Sequence, residues 1–385
     1  MLIHTVSQGD TVFSIARKYA VSPVKIIENN CLPYPDQLIP GQQLLILTPT
    51  RTYIVRGGDT ITKVCRRFGI KKNTLVANNP ALHGRHQLQI GTELVIRYDP
   101  PIYGSVLLNG YVYENTSADR FYTLLPYLTY ATFSGRTDIM QRWIAAALDA
   151  RKVPLLRVSW TEMYTSYREK TESFSKMLEA AQRNGFQGFT LTSVPRDISY
   201  DIAVEFLLEI KKQLLGMDML LFQEMETESA GEHPDAADGI VALYEKCHKK
   251  EIPAFKDGEC KSLENFARIA DAGKAFLELS SFGYDGTKAL TMEQIQKIAI
   301  KYGAEIFIDE EKRTSYLDYT FYKNGTRRPL RIHFECLENI KAKLELMHEL
   351  GFMGAAVDVG RVPISYVMML YTLFSGTENK YTDMF

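Results

Sequence analysis

The N-terminal part of the chain contains an internal repeat. VSQGDTVFSIARKYAVS at residues 6–22 aligns without a gap on VRGGDTITKVCRRFGIK at residues 55–71. The similarity continues through an Asn–Asn pair in each copy and then through LIPGQQLLI (38–46) on LQIGTELVI (88–96). Two copies of one short unit imply two small modules, each with its own apolar core.

Both copies predict the same order of elements, βααβ. A short strand ends at Gly-Asp-Thr, where glycine permits a tight turn and Asp or Thr can cap the helix that follows. Apolar residues then recur at helical spacing, and a second short helix ends at the Asn pair. A Pro-Gly or Ile-Gly turn leads into the closing strand. The modules are predicted to occupy residues 1–48 and 51–98.

These motifs resemble the LysM family, whose small modules bind glycans that contain N-acetylglucosamine, such as peptidoglycan and chitin. The resemblance covers nearly the whole of each copy and implies a shallow sugar groove between the loop after the first strand and the loop before the second. Two grooves in tandem can gain avidity on a polymer. The alternative is that Gly-Asp-Thr serves only as a turn and a cap. The implied binding positions are Gly9, Asp10, Thr11, Asn30, Ile39 and Pro40 in the first copy, and Gly58, Asp59, Thr60, Asn79, Gln89 and Ile90 in the second.

Residues 102–385, after a proline-containing linker, are predicted to form an α/β domain of the (β/α)8 TIM barrel type. Eight apolar runs alternate with helical stretches, a pattern that favours a parallel sheet covered by helices. The segment is also long enough for one barrel, which typically needs about 250 residues. An open doubly wound sheet is the alternative. The predicted strands are 105–113, 127–133, 153–160, 188–194, 217–225, 275–282, 304–310 and 354–360.

The segments GYVYENTSADRF, VPLLRVSW, GFQGFTLTSVP and GFMGAAVDVGRVP resemble, in order and spacing, family 18 glycoside hydrolases. They are most similar to the LysM-bearing N-acetylglucosaminidases that degrade spore cortex peptidoglycan. That family carries DGxDxDxE on the fourth barrel strand, where residues two apart aim their carboxylates into the barrel mouth. The Glu protonates the glycosidic oxygen, and the substrate's own acetamido group is the nucleophile. In this chain the acidic positions hold Gln187, Thr190, Thr192 and Val194, so the resemblance implies a barrel without catalysis, a pseudoenzyme.

Two further family positions are also predicted to be lost. In the family a tyrosine ends the sixth strand. The equivalent position in this chain is predicted to be Ser280, within FLELSSFGYDG, and Tyr284 follows four residues later. The platform tryptophan of the last strand falls near Val357 or Asp358, whereas the two tryptophans of the chain lie elsewhere. Loss at three strands favours a barrel retained for binding or for docking a protein.

Four acidic residues are candidates for a rebuilt active site. A pair of carboxylates about 5 Å apart can support retaining hydrolysis. The alternative is that these residues are surface charges or form structural ion pairs, with Arg157, Arg196 and Arg361 as the available partners. The candidates are Glu224, Glu226, Glu278 and Asp358.

The composition and the motifs of the chain limit the classes of partner and cofactor that are expected. The 45 Lys and Arg residues balance 46 Asp and Glu residues, so no basic field argues for nucleic acid. No apolar run reaches the roughly 20 residues of a membrane span. The cysteines lack CxxC spacing, and no phosphate loop or metal pattern is present, so neither a cofactor nor a metal is expected.

The predicted partners are peptidoglycan or another N-acetylglucosamine polymer and a spore-coat or cell-wall protein. The first residues, MLIHTVSQGDT, lack the charged and apolar regions of a secretory signal. We therefore expect a protein made in the cytoplasm without a signal peptide and associated with the spore coat, cortex or cell wall of a spore-forming bacterium.

Overall fold

The structure, a computed structural model, describes most of the chain. The described residues are 1–82, 87–169, 172–227, 236–243, 261–279, 281–286, 288–309, 314–323 and 325–376.

The two N-terminal modules have the predicted βααβ order. In each, the two strands form an antiparallel pair. Threonine caps the first helix of both modules, because the Thr11 and Thr60 hydroxyls accept hydrogen bonds from the amides of Ser14 and Lys63. The first module comprises β1 (Leu2–Thr5), α1 (Val12–Tyr19), α2 (Pro23–Asn30) and β2 (Gln43–Ile46); the second comprises β3 (Arg51–Ile54), α3 (Ile61–Phe68), α4 (Lys72–Ala77) and β4 (Glu93–Arg97).

The large domain is a closed barrel of eight parallel strands, which confirms the predicted fold class. Its strands pair in chain order, and the last pairs with the first to close the barrel. They are β5 (Tyr103–Tyr113), β6 (Tyr130–Ser134), β7 (Val153–Val158), β8 (Gly188–Leu191), β9 (Leu220–Glu226), β10 (Gly239–Leu243), β11 (Ala275–Glu278) and, after an insertion described below, β17 (Gly354–Asp358).

Helices surround this barrel. Many of their apolar side chains belong to one core that lies between the helices and the outward faces of the strands. The helices are α5 (Ala118–Leu124), α6 (Thr137–Asp149), α7 (Trp160–Arg168), α8 (Glu172–Arg183), α9 (Tyr200–Leu215), α10 (Lys261–Ile269), α12 (Leu337–Glu349) and α13 (Ile364–Leu373). A short strand, β18 (Phe374–Gly376), pairs with the start of β5.

A five-stranded antiparallel sheet with one helix is inserted between β11 and β17. Its strand order is β13-β12-β16-β15-β14. The elements are β12 (Phe282–Tyr284), β13 (Ala289–Thr291), α11 (Met292–Tyr302), β14 (Ile306–Asp309), β15 (Thr314–Lys323) and β16 (Thr326–Glu335).

One predicted barrel strand is wrong. The run at 304–310 forms β14 of the insertion, where Phe307 is exposed on one face while Ile306 is buried on the other. The sixth barrel strand is instead β10, whose five residues GIVAL are all buried. A barrel strand is buried on both faces, whereas a strand at the edge of an exposed sheet is buried on one face only. The wholly apolar run GIVAL therefore fits a barrel strand better than AEIFIDE does.

Candidate functional site

The fourth barrel strand, β8, places neutral side chains where the family motif has acids. Thr190 is fully buried inside the barrel, and its Oγ1 lies 3.3 Å from Oγ1 of Thr132 on β6. Thr132 in turn donates to Oδ1 of Asn109 on β5 at 2.8 Å. The interior at this level is therefore a chain of hydroxyl and amide groups across three strands.

The other three motif positions lie around the ends of the same strand. The Thr192 hydroxyl accepts a hydrogen bond of 2.9 Å from the amide of Trp160, at the start of α7. Val194 is half-buried and packs against the apolar core. Gln187 precedes the strand and uses its backbone amide to bond Pro154. None of these side chains can transfer a proton from a carboxyl group.

A buried ion pair crosses the inward face of β8. Nε and Nη2 of Arg157, on β7, donate to the two carboxylate oxygens of Glu224, on β9, at 2.6 and 2.8 Å. Glu224 is only 2% exposed. Burial alone lowers the pKa of the Arg157 guanidinium, but the hydrogen bonds to Glu224 outweigh it and raise the pKa above its ordinary value. The interpretation of Glu224 as a surface charge is therefore wrong, and its partner is Arg157.

Two tyrosines and two more acids share the barrel mouth. Burial raises the pKa of Tyr113 to about 12, and its hydroxyl also interacts electrostatically with Arg157, Asp358, Glu224 and Glu278. These groups therefore form one cluster. Tyr111, on the same strand, is fully buried, and burial raises its pKa well above the ordinary value. Sequence reasoning missed both tyrosines, although they alternate on β5 in the run NGYVY and so point to one side.

Asp358, at the end of β17, is largely buried and lies beside the positively charged Arg361. Burial raises the pKa of its carboxyl above the usual value, although the nearby Arg361 guanidinium and the Gly360 amide lower it. Oδ2 lies 3.3 Å from Nη1 of Arg361, and Oδ1 accepts from the Gly360 amide at 2.9 Å. The fourth candidate, Glu226, lies at the rim and pairs at 3.3 Å with the exposed Arg196.

The corrected strand order changes one family comparison. FLEL belongs to the seventh strand, so Ser280 does not end the sixth strand, and Ser280 itself lies outside the described residues. The sixth strand ends at Leu243, and the sequence continues Tyr244-Glu245, a tyrosine followed by an acid; both also lie outside the described residues. The loss of the sixth-strand tyrosine is therefore no longer an argument against catalysis.

The Gly-Asp-Thr loops of the two modules share one geometry. Gly9 and Gly58 have φ of +87° and +80°, a conformation that side chains other than glycine rarely adopt. Oδ2 of Asp10 and Asp59 accepts from a backbone amide at 2.8 Å, closing the turn. A backbone hydrogen bond lowers the pKa of Asp10, and a hydrogen bond from the Tyr53 hydroxyl lowers that of Asp59.

The asparagines of the Asn pair tie helix to strand. The Asn30 amide donates to Ile26 and Leu45 carbonyls and accepts from the Leu45 amide. Asn79 makes the equivalent bonds to Leu75 and Val95 and is 1% exposed. The glycan contacts expected of both residues stay predictions, but their side chains already stabilise the fold.

A comparison with known families identifies the repeat, because the model of the LysM domain matches this chain at residues 4–47 and 53–97. These two segments are LysM domains. The "Putative sporulation-specific glycosylase YdhD" of Bacillus subtilis (strain 168) is 35% identical to this LysM-containing chain over 147 residues. That match covers 38% of this chain and only 32% of the relative's length.

Two solved structures share the fold. The spore cortex-lytic enzyme SleL of Bacillus cereus aligns with a TM-score of 0.71 over 98% of this chain and 99% of its own, at 18% identity. A chitinase from Chromobacterium violaceum ATCC 12472 aligns with a TM-score of 0.56 over 70% of this chain and 98% of its own, at 14% identity. The chain therefore combines two LysM domains with a barrel of the chitinase-like family 18 fold, as the resemblance implied.

The two LysM domains differ in the loop before their closing strand. In the second, Gln89 and Ile90 are exposed, and a Cβ added to Gly57 would lie 4.0 Å from Cδ1 of Ile90, so the Ile90 side chain lies beside the opposite loop. In the first, Ile39 is 4% exposed and Pro40 is half-buried.

Within the described ranges, no three His, Cys, Asp or Glu residues are grouped so that they could hold a metal ion. Over the same ranges, no helix combines the length and the apolar character needed to cross a bilayer.

Proposed function

We propose that this protein binds peptidoglycan, or another N-acetylglucosamine polymer, through LysM and that its barrel does not cleave glycosidic bonds. The LysM match and the exposed loops of the second domain support the first part. The observation that carries the second is β8 and the residues that follow it, which present Thr190 and Thr192 between the strands that carry the Arg157–Glu224 pair.

The ion pair makes Glu224 a poor substitute for the missing acid. A general acid must hold a proton that it can give to the leaving oxygen, a contribution of about 10²- to 10⁴-fold to the rate. Both carboxylate oxygens of Glu224 already accept hydrogen bonds from Arg157. Glu224 could therefore reach a leaving oxygen only if the buried pair broke.

The names of the relatives support a location at the spore or the cell wall. YdhD is named for sporulation and SleL for the spore cortex. A barrel that keeps its shape without cleaving could hold a glycan or dock a spore-coat or cell-wall protein.

The decisive assay measures binding and turnover together. The purified full chain is incubated with cortex peptidoglycan and with chitooligosaccharides, and both the bound fraction and the released reducing ends are measured. We expect bound protein and no reducing ends above the buffer blank. Turnover that disappears on substitution of one barrel-mouth carboxylate would overturn the proposal of an inactive barrel.

An active glycosidase with a rebuilt site is the second candidate, favoured by one observation. Asp358 has a raised pKa because it is buried, and it shares the mouth with Glu278 of the neighbouring strand. Raised carboxyl pKa values suit a general acid. If this candidate is right, Asp358→Asn and Glu278→Gln each abolish turnover, whereas the rim variant Glu226→Gln retains it.

A further inference from the structure

The first LysM domain uses both faces of its closing strand. Leu44 and Ile46 of β2 point into the core of the module itself. Leu45 and Leu47, which alternate with them, are 0% and 4% exposed and belong to the core of the barrel domain. The module and the barrel therefore share one apolar interface rather than being joined by a free linker.

The loop before β2 is covered by the inserted sheet. Ile39 belongs to the core of the insertion, together with Ile295 and Ile306. The Pro40 carbonyl accepts a hydrogen bond of 2.9 Å from the Ile306 amide at the start of β14. This loop is one wall of the groove that the LysM resemblance implies, and in the first domain it is bonded to protein.

The adjacent glycine shows how close this contact is. Gly41 has φ of +84°, and a Cβ placed on it would lie 1.8 Å from the Ile306 carbonyl oxygen. Gly91, the equivalent residue of the second domain, has φ of +85° and nothing within 4 Å of the same point. The two equivalent loops thus have the same backbone conformation, but the first is in contact with the inserted sheet and the second is open to solvent.

The second domain leaves the corresponding wall in solvent. Ile90 is 70% exposed, so its apolar side chain is accessible to a ligand. Gly58 and Thr60, on the opposite loop, are exposed as well. An apolar side chain beside exposed backbone amides suits an N-acetylated sugar, which presents both C–H faces and amide groups.

We propose that the two LysM domains have different roles: the second carries the glycan-binding groove, and the first is a structural domain that fixes the insertion to the barrel. This inference rests on the proposed function, since it states which module performs the binding. The chain would then bind one short N-acetylglucosamine oligosaccharide at a time.

The test compares equivalent positions of the two domains in the full chain. Aspartate can replace threonine as a helix cap, so Thr11→Asp and Thr60→Asp both keep α1 and α3 capped while adding a negative charge beside the Gly-Asp-Thr loop. Ile90→Asp removes the exposed apolar contact. Binding of the N-acetylglucosamine tetramer is measured by calorimetry, the same variants are sedimented with cortex peptidoglycan, and circular dichroism checks that each is folded.

We expect a stoichiometry of one tetramer per chain, a loss of at least tenfold in affinity for Thr60→Asp and Ile90→Asp, and a change under about twofold for Thr11→Asp. A stoichiometry of two, or equal losses for Thr11→Asp and Thr60→Asp, overturns this inference and leaves the proposed function standing. Failure of the unsubstituted chain to bind either the tetramer or peptidoglycan overturns both.

Discussion

Arg157 faces Glu224 across the fourth barrel strand and donates two hydrogen bonds of 2.6 and 2.8 Å to its carboxylate. Their strands, β7 and β9, flank the strand on which the family motif would place its acids. A neutralised charge pair therefore lies on the two strands that flank the motif position.

Removing one partner of this pair should destabilise the barrel. Arg157→Met leaves Glu224 buried without its counter-charge, and we expect a loss of about 3–5 kcal/mol in the free energy of unfolding. Urea denaturation measures it. The double variant Arg157→Met/Glu224→Leu should lose less than the single one, since it buries no charge. Equal losses from the single and double variants would show that packing, not charge, is what the pair supplies.

Restoring acids to β8 should not restore catalysis. We expect Thr192→Asp/Val194→Glu to release little or no reducing sugar from cortex peptidoglycan. Thr192 accepts the Trp160 amide hydrogen bond, and the neighbouring strands already carry the Arg157–Glu224 pair. Adding Arg157→Met/Glu224→Leu to the restored chain tests whether the pair is the obstacle. Robust hydrolysis by the first double variant would mean that the rest of the site is intact.

Alanine at the two equivalent glycines should separate backbone strain from domain contact. Gly91→Ala adds a side chain at positive φ in open space, at a cost of about 1–2 kcal/mol. Gly41→Ala has the same cost and also collides with the Ile306 carbonyl. We expect the larger loss of stability for Gly41→Ala and faster proteolysis around the first module. Equal losses would mean that the module and the insertion separate easily.

The pH dependence of stability should reveal the burial of Asp358. Its folded pKa is raised, so the native state binds this proton more tightly than the unfolded chain does. Stability from this group is therefore greatest below the unfolded value of about 3.8 and falls as the pH rises through the folded pKa. Asp358→Asn should be more stable than the parent chain at pH 7 and equal to it at pH 3 in chemical denaturation. The exposed Asp138→Asn serves as control, with no such gain at pH 7.

The sequence predicted those features that depend on neighbouring residues. The repeat located both modules, and seven of the eight barrel strands were found from apolar runs. GIVAL at 239–243 is short and has few helix signals beside it, whereas AEIFIDE at 304–310 directly follows the clear helical pattern MEQIQKIAIKYG. Contacts between distant strands, such as Arg157 with Glu224, depend on the closed barrel and cannot be derived from spacing along the chain.

The closing strand of the first module carries a sequence signal for the domain interface. The closing strand of the first module reads LLIL at 44–47, and that of the second reads LVIR at 94–97. A strand with one solvent face alternates in polarity, so an unbroken apolar run indicates that both faces are covered. The first three residues of both runs are buried, and the strands differ at the last position, where Leu47 is buried and Arg97 is exposed. The sequence does not identify what covers this strand, because the run that forms β14 and contacts the preceding loop is predicted as a barrel strand.

Hydrogen bonds join the two LysM domains to each other and to the barrel. The Lys25 ammonium of the first domain donates to Asn79 of the second at 3.1 Å, and the Tyr127 hydroxyl of the barrel donates to the Ala77 carbonyl. These bonds tie the two modules to each other and to the barrel. A cell-wall glycan bound to the second LysM domain would therefore stand at a fixed position relative to the barrel mouth. Tension in that glycan would pass directly into the barrel, because no flexible linker lies between the described module and the barrel.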